Sequence, residues 1–239
     1  MEQLTWFTDR LSENGITLSE SQLGQFETYY RLLVEWNEKM NLTGITERVA
    51  VYEKHFFDSV SLSFCLPIGQ AKSLADIGSG AGFPSIPLKI CFPHLRILIV
   101  DSLNKRIQFL IHLTESLGMQ DVACVHGRAE DVARIAAYRD QYDVVTARAV
   151  AKLNVLNEFC LPFVKPNGVF AAMKGTDPSV EIVDANRSLR ELKGKVEQVH
   201  EMKLPLEQSE RHIVLVRKTG GTPPKYPRKA GLPLKQPLL

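Results

Sequence analysis

The chain has 239 residues, of which 44% are hydrophobic, so it can bury one large core or a core with a small helical appendage. Charged residues make up 23% of the chain and the formal net charge is +2, ordinary values that do not by themselves indicate nucleic-acid binding. The acidic start of the chain and the lack of any run of about 18 apolar residues argue against a secretory signal or a membrane span, and favour a cytoplasmic protein.

The first 66 residues have a helical pattern. Apolar side chains recur every three or four positions from Leu23 to Met40, which predicts one long helix with a single apolar stripe. Ser19 and Gln22 match a capping box at its start. A shorter helix around Phe7 is expected before it and another, over about residues 47–65, after it. We interpret residues 1–66 as an N-terminal helical cap.

From residue 73 onward, short apolar runs alternate with helical stretches, a pattern that predicts a parallel sheet covered on both faces. The first five strand-like runs are SLADIG, LRILIVD, VACVHG, YDVVTARA and GVFAAMKG. The last two, KVEQVHEMKL and RHIVLVRK, are joined by a loop too short for a crossover helix, so they should be antiparallel. The expected intervening helices cover residues 87–92, 104–117, 129–137 and 150–163. Residues 67–219 therefore form a Rossmann-like α/β core of seven strands, mostly parallel, with an antiparallel last strand.

Residues 220–239 form a tail that is rich in proline and glycine, so no regular element is predicted there. No acidic residue follows Glu210, and the positive charge is therefore concentrated at this end of the chain.

Four cysteines are spread along the chain without the C-x-x-C spacing of zinc and redox sites. We expect no metal site, and we interpret the cysteines as small core residues in a reducing compartment. They are Cys65, Cys91, Cys124 and Cys160.

The most informative motif follows the first predicted strand, where Asp76, Gly78, Gly80 and Gly82 give the pattern D-x-G-x-G-x-G. A dinucleotide site has G-x-G-x-x-G, but position 83 is Phe83. The observed spacing is typical of S-adenosylmethionine sites, where glycines let the backbone approach the ligand. The sequence therefore predicts this cofactor and a class I methyltransferase fold, with a nicotinamide-dependent oxidoreductase as the weaker alternative.

Two further strand ends support a nucleoside-binding site. The second strand ends in Asp101, about 20 residues after the glycine loop, where a carboxylate accepts hydrogen bonds from ribose hydroxyls. Strand topology adds Ser102 to the same group. The third strand ends before Ala129 and Glu130, whose backbone groups are expected to pair with the edge of adenine.

Several segments resemble one family throughout: KHFFDS, DIGSGAGFPSIPLKI, VDSLNKR, GRAED, TARAV and the basic KYPRKAG of the tail. That family is RsmG, also called GidB, the small-subunit ribosomal RNA methyltransferases. The resemblance implies methylation of guanine N7 at nucleotide 527 of 16S ribosomal RNA. It also implies that the cofactor is contacted by Gly78, Phe83, Ala129, Glu130 and Arg148.

The chemistry is consistent with this reaction, because guanine N7 carries a lone pair and no proton and so needs no general base. Positioning alone can lower a barrier by about 7–11 kcal/mol, and we predict no catalytic acid or base. The loop after the fourth strand, from Thr146 to Val150, lacks the N/D-P-P-Y/F motif of exocyclic-amine methyltransferases. It also lacks the cysteine that carbon-5 methylation requires.

Substrate contacts are predicted at a strand end and in the tail. Arg148 lies where the methyl acceptor approaches, and Lys174 is a weaker candidate at the end of the next strand. In the tail, Lys225, Arg228 and Lys229 are expected to neutralise phosphates around Tyr226, which offers a stacking surface. Removal of residues 225–239 should then weaken RNA binding and leave cofactor affinity nearly intact.

The expected partner is the small ribosomal subunit or its RNA, bound by a monomer. A non-catalytic RNA-binding or assembly factor on the same fold is an alternative, because a fold does not prove chemistry. His55 and Asp58 lie in the predicted third helix and are given no role.

Overall fold

The computed structural model describes residues 4–239, and its N-terminal part is helical, as expected. Helix α1 spans Thr5–Glu13 and α2 spans Glu20–Met40. The capping box is present: Gln22 N donates to Ser19 Oγ at 3.3 Å, and Ser19 N donates to Gln22 Oε1 at 2.8 Å. The apolar stripe of α2 is rotated from the expected one. Leu23 is 38% exposed, and the buried positions are Phe26, Tyr29, Leu32 and Leu33.

The expected helix over residues 47–65 is interrupted by a π-helical segment. The order is α3 Arg48–Val51, the π segment Tyr52–Phe57, α4 Asp58–Val60 and α5 Leu62–Cys65. Two serine hydroxyls after the π segment donate to backbone carbonyls three or four residues back, Ser59 to His55 and Ser61 to Asp58. Such bonds compete with the regular helix ladder, and π segments are frequent at functional sites.

The sheet has the seven predicted strands in the order β3-β2-β1-β4-β5-β7-β6. Strands β1 to β5 are parallel, and β7 runs antiparallel to both β5 and β6, as the short connection required. The bounds are β1 Ser73–Ile77, β2 Arg96–Asp101, β3 Val122–His126, β4 Tyr142–Arg148, β5 Val164–Lys174, β6 Gly194–Lys203 and β7 Glu210–Lys218.

Two of the helices between the strands are shorter than expected. Helix α8 is Ala129–Val132 rather than 129–137, because turns follow it, and α9 is Leu153–Cys160 rather than 150–163, with a 3-10 helix at Leu161–Phe163 after it. The charged segment after β5, for which no helix was predicted, holds two short ones. The bounds are α6 Ser85–Cys91, α7 Asn104–Ser116, α10 Ser179–Asp184 and α11 Asn186–Glu191.

Each face of the sheet has its own hydrophobic core. On one face, Phe26 of α2 and Phe109 of α7 pack with Leu74 of β1. On the other, Phe159 of α9 packs with Ala75 of β1. Because successive strand residues point to opposite faces, β1 contributes to both cores. The N-terminal helices share their core with the sheet, and a domain boundary at residue 66 stays a prediction.

The tail is ordered, and the prediction that it contains no regular element is wrong for one short helix. Tyr226 is only 4% exposed and Leu238 is also buried, both in the core beside α9. A short helix, α12, covers Leu232–Lys235. Arg139 fixes the start of the tail by donating to the carbonyls of Thr222, Pro223 and Tyr226. Enough apolar and hydrogen-bonding groups are present to order a segment whose composition suggested otherwise.

The tail is also held by a nearly buried ion pair between Arg228 and Glu158 of α9. The Glu158 carboxylate is 1% exposed and accepts from Arg228 N at 2.6 Å, Nε at 2.9 Å and Nη2 at 2.7 Å. The pair raises the pKa of Arg228. Removing one partner of such a pair leaves the other charge buried and unpaired.

We expect Arg228→Ala to lower the free energy of unfolding by about 2 kcal/mol, because Glu158 loses two of its donor groups. Urea denaturation measures the change. Arg217→Ala is the matched control, since Arg217 pairs with Glu197 on the exposed face of the hairpin, and it should cost at most about 0.5 kcal/mol. Equal losses in the two variants would contradict the structural role of the buried pair.

Candidate active site

Two neighbouring cavities lie at the carboxyl ends of the parallel strands. The strand order reverses between β1 and β4, although the two strands are parallel, and ligands of open α/β sheets bind at such a point. The larger cavity has a volume of about 560 Å³ and the smaller one about 140 Å³. Val150, just after β4, lines both.

The glycine loop between β1 and α6 borders the smaller cavity at Gly78. This residue has φ +77°, and a Cβ added to it would lie 2.7 Å from Val150 Cγ2. Gly80, with φ +63°, has open space where a Cβ would be. Gly82 differs, because a Cβ there would meet Tyr29 Oη at 2.7 Å and Ile86 at 2.8 Å. The structure thus places Gly82 in a packing contact rather than at the cavity.

Asp76 lies beneath the loop and is fully buried. Its Oδ2 accepts from Ser79 Oγ at 2.6 Å and from Ser85 N at 3.2 Å. Its Oδ1 is buried with no hydrogen-bond partner among residues 4–239. Burial raises the pKa of Asp76 to about 6. Asp76 Oδ2 thus holds both ends of the glycine loop, at Ser79 and Ser85, while Oδ1 is a buried acceptor without a donor.

Asp101, at the end of β2, is buried and already has three donors. Gly80 N donates at 3.0 Å, Leu103 N at 2.9 Å and Arg106 Nη1 at 3.4 Å. This carboxylate therefore braces the glycine loop against the second strand, and a ribose contact stays a prediction. Ser102 is exposed and lines the smaller cavity.

The start of α8 supplies the next wall of the smaller cavity through Ala129 and Glu130. The Glu130 carboxylate is buried and accepts from Gly231 N of the tail at 2.7 Å. The tail also contributes Leu234 to the lining. Groups from six separate parts of the chain thus meet at this cavity, since Val150 and Phe159 line it as well.

Arg148, at the end of β4, is the centre of a cluster beside the larger cavity. Its guanidinium lies 4.9 Å from the centre of the Phe83 ring, and the His55 ring stacks on Phe83 at 4.5 Å. Arg148 Nη1 donates to Asp58 Oδ2 at 2.8 Å and to Lys54 O at 3.1 Å. The π segment and α4 therefore fix the side chain that the sequence singled out.

Both oxygens of Asp58 are engaged by arginines, since Arg211 Nε of β7 donates to Oδ1 at 3.1 Å. His55 Nε2 lies 2.7 Å from Thr43 Oγ1. Burial, and next the charge of Arg148, lower the pKa of His55 to about 3, so this imidazole is neutral at physiological pH. The cluster is well connected and holds a neutral histidine beside a paired carboxylate.

Sequence reasoning missed two residues at the larger cavity. Ala149 has φ +56°, an unusual conformation for a residue with a Cβ, and such strain is concentrated at functional sites. Arg211 comes from β7, far from Asp58 in sequence, and no local pattern indicated the contact. The position of Arg148 at a strand end was the one usable signal.

The chain is similar to known proteins over most of its length. The family model described as rRNA small subunit methyltransferase G, GidB, matches residues 22–214. Proteins named ribosomal RNA small subunit methyltransferase G are 54% identical in Brevibacillus brevis, over 98% of both chains, and 52% identical in Bacillus subtilis, over 232 residues.

The chain belongs to the RsmG family. Solved structures agree on the fold of this RsmG member. A structure described as an O-methyltransferase from Klebsiella pneumoniae aligns with a TM-score of 0.57 at 15% identity, over 92% of this chain and 99% of that chain. An S-adenosylmethionine-dependent O-methyltransferase from Thermotoga maritima has a TM-score of 0.52 at 17% identity, over 78% and 71%.

Family and fold identify S-adenosylmethionine as the cofactor of this RsmG protein. The residues present fit it. The smaller cavity is lined by the glycine loop and the ends of β2 and β3, the space at Gly80 is open, and the buried Asp76 Oδ1 lacks a partner. Family membership gives no support to the nicotinamide alternative.

The predicted RNA contacts of this RsmG chain fall into two groups. Lys174 lines the larger cavity, where its Nζ donates to Ala151 O at 2.9 Å and to Glu181 Oε2 at 2.7 Å. In the tail, Tyr226 is buried and donates to Glu191, so the expected stacking surface does not exist. Arg228 is paired with Glu158 and Lys225 with Glu191. A contact of Lys229 with RNA stays a prediction.

Among residues 4–239, no group of three or more histidine, cysteine or acidic side chains is arranged to hold a metal ion. None of the helices in the same range is long and apolar enough to cross a membrane.

Proposed function

We propose that this chain transfers a methyl group from S-adenosylmethionine to N7 of a guanine, nucleotide 527 of 16S ribosomal RNA, acting as a monomer on the small ribosomal subunit. The names of relatives up to 54% identical over nearly the whole chain support the substrate class. The observation that carries the reaction type is the pairing of Asp58 with two arginines, which leaves neither oxygen of this carboxylate free to act as a base.

Methyl transfer to a nitrogen that bears a proton needs a base to remove it. At the larger cavity, Asp58 has both oxygens occupied by Arg148 and Arg211. Guanine N7 carries no proton, so its lone pair can attack directly and these groups need only position the base. The cluster is therefore better suited to N7 than to an exocyclic amine.

When bound, the cofactor supplies an electrophilic methyl group on a sulfonium. The chain's own residues bind and orient the two reactants. Gly78, Ala129 and Glu130 hold the nucleoside end in the smaller cavity, and Asp76 presents its free oxygen beneath the glycine loop. Arg148, fixed by Asp58, borders the space where the guanine enters. Holding reactants in line accounts for several orders of magnitude in rate.

The charge of the larger cavity favours an RNA substrate. Lys54, Arg148, Lys174 and Arg211 line it, whereas Asp58 is the one acidic residue in its described lining. Such a surface attracts phosphate groups and offsets the cost of unstacking a base, about a few kcal/mol. We therefore expect RNA contacts at the mouth of the active site, in addition to the predicted contact of Lys229 in the tail.

The test is methyl transfer from labelled S-adenosylmethionine to small ribosomal subunits that lack their own modification, with the product nucleoside identified by mass spectrometry. We expect N7-methylguanosine at a single position. A different methylated nucleoside would contradict the N7 assignment. Cofactor binding without any transfer, to subunits or to naked RNA, would favour a non-catalytic assembly factor.

A further inference from the structure

The tail runs from the end of β7 along α9 to the cofactor side of the sheet. Lys218, fully buried at the end of β7, donates to Asp140 Oδ1 at 2.9 Å and to Thr222 Oγ1 at 2.7 Å, which sets the direction of the chain as it leaves the sheet. Arg134 and Arg139, after α8, bind carbonyls of the tail between residues 222 and 227. These hydrogen bonds fix the path of the tail backbone between residues 222 and 227.

Two buried carboxylates fix its second half. Glu158 of α9 binds Arg228, and Glu130 in the first turn of α8 accepts from Gly231 N at 2.7 Å. Gly231 has φ +82° and begins α12. These two anchors come from the elements on either side of the smaller cavity, because Phe159 of α9 and Glu130 both line it.

Leu234, in α12, is the tail's contribution to that lining. Its neighbour Pro233 is buried, and Leu238 beyond it enters the core beside α9. Leu234 itself is 51% exposed. An apolar side chain that is held at the rim of a cavity and left half exposed is placed to be covered when a flat apolar ligand group enters.

We propose that Leu234 is a cofactor-binding residue, which packs against the adenine of S-adenosylmethionine, and that the Glu130–Gly231 hydrogen bond holds it there. The inference rests on the proposed placement of the nucleoside in the smaller cavity. It reverses the expectation from the sequence that removal of the tail leaves cofactor affinity intact, since Leu234 of the tail lines the pocket.

Isothermal titration of the full chain with S-adenosylhomocysteine tests the proposal. Leu234→Ala should raise the Kd about fivefold, the effect of losing part of a leucine's apolar contact with the ring. The Kd of 5′-methylthioadenosine, which has the adenosine but lacks the amino-acid group, should rise by the same factor. Equal changes locate the lost contact at the nucleoside half of the ligand.

Leu206→Ala is the matched control, because Leu206 is 47% exposed and lies on the turn between β6 and β7, outside the described lining of both cavities. The Leu206→Ala variant should bind S-adenosylhomocysteine with the same Kd as the unchanged chain. Hydrogen exchange supplies a second readout: S-adenosylhomocysteine should slow amide exchange in residues 228–238 of the unchanged chain by about tenfold.

An unchanged Kd in Leu234→Ala, or tail exchange that does not respond to the ligand, would overturn the proposal. Failure of the proposed nucleoside site in the smaller cavity would give a different result. The unchanged chain would then not bind S-adenosylhomocysteine, or Gly78→Val and Leu234→Ala would both leave a normal Kd.

Discussion

Gly78→Val should lower the affinity for S-adenosylhomocysteine by about a thousandfold while the protein stays folded. Gly78 has φ +77°, and its Cβ would lie 2.7 Å from Val150 Cγ2, at the residue that lines both cavities. A branched side chain there is strained and forces either the loop or Val150 into the ligand space. Isothermal titration measures the affinity, and circular dichroism reports the fold.

The matched control for this substitution is Gly118→Val. Gly118, after α7, has φ +63° and no atom within 4 Å of an added Cβ, so it bears a similar backbone strain without a collision. We expect it to lose stability and to keep a normal Kd. If Gly78→Val also bound normally, the glycine loop would not be the cofactor site.

Arg148→Ala should slow methyl transfer to small ribosomal subunits by about a thousandfold, the size of effect seen when a preorganised charged group is removed from an active site. The variant frees Asp58 Oδ2 and uncovers the Phe83 ring, so the wall of the acceptor cavity loses its shape. Arg148→Lys should restore little of the methyl-transfer rate, because an ammonium group cannot reproduce the planar contact of the guanidinium with the Phe83 ring. Single-turnover kinetics with labelled cofactor measure the rate.

The control for Arg148 is again Arg217→Ala, which removes the same side chain from an exposed pair with Glu197. This variant should transfer the methyl group at the normal rate. The comparison separates the effect of losing one positive charge anywhere on the protein from the effect of losing Arg148 at the cavity. A rate within tenfold of normal for Arg148→Ala would show that the cluster around Asp58 is structural only.

The sheet and its glycine loop were predictable because they depend on local signals. Strands have short apolar runs, and the glycine spacing after β1 reflects the backbone conformations seen at Gly78 and Gly80. Helix lengths were less predictable, since turns such as the one after α8 have apolar residues too. The π segment at Tyr52–Phe57 was not expected from the helical pattern of residues 47–65.

The candidate site was only partly predictable for a similar reason. Arg148 was identifiable by its position at a strand end, but its partner Asp58 lies 90 residues earlier and Arg211 comes from another strand. The order of the tail was not predicted because composition does not reveal its buried partners. The Glu130 carboxylate accepts from Gly231 N, and the Glu158 carboxylate accepts from Arg228. Long-range pairing of this kind is decided by the whole fold.

The position of the tail in the core has a consequence for synthesis. Chains are made from the N-terminus, and their early parts begin to fold first. In this protein the core beside α9 contains Tyr226 and Leu238, so it stays open until long after the strands that surround it have been made. A chain truncated between β7 and residue 238 would therefore contain every strand of the sheet but an unfinished core, which makes it a target for chaperones and proteases.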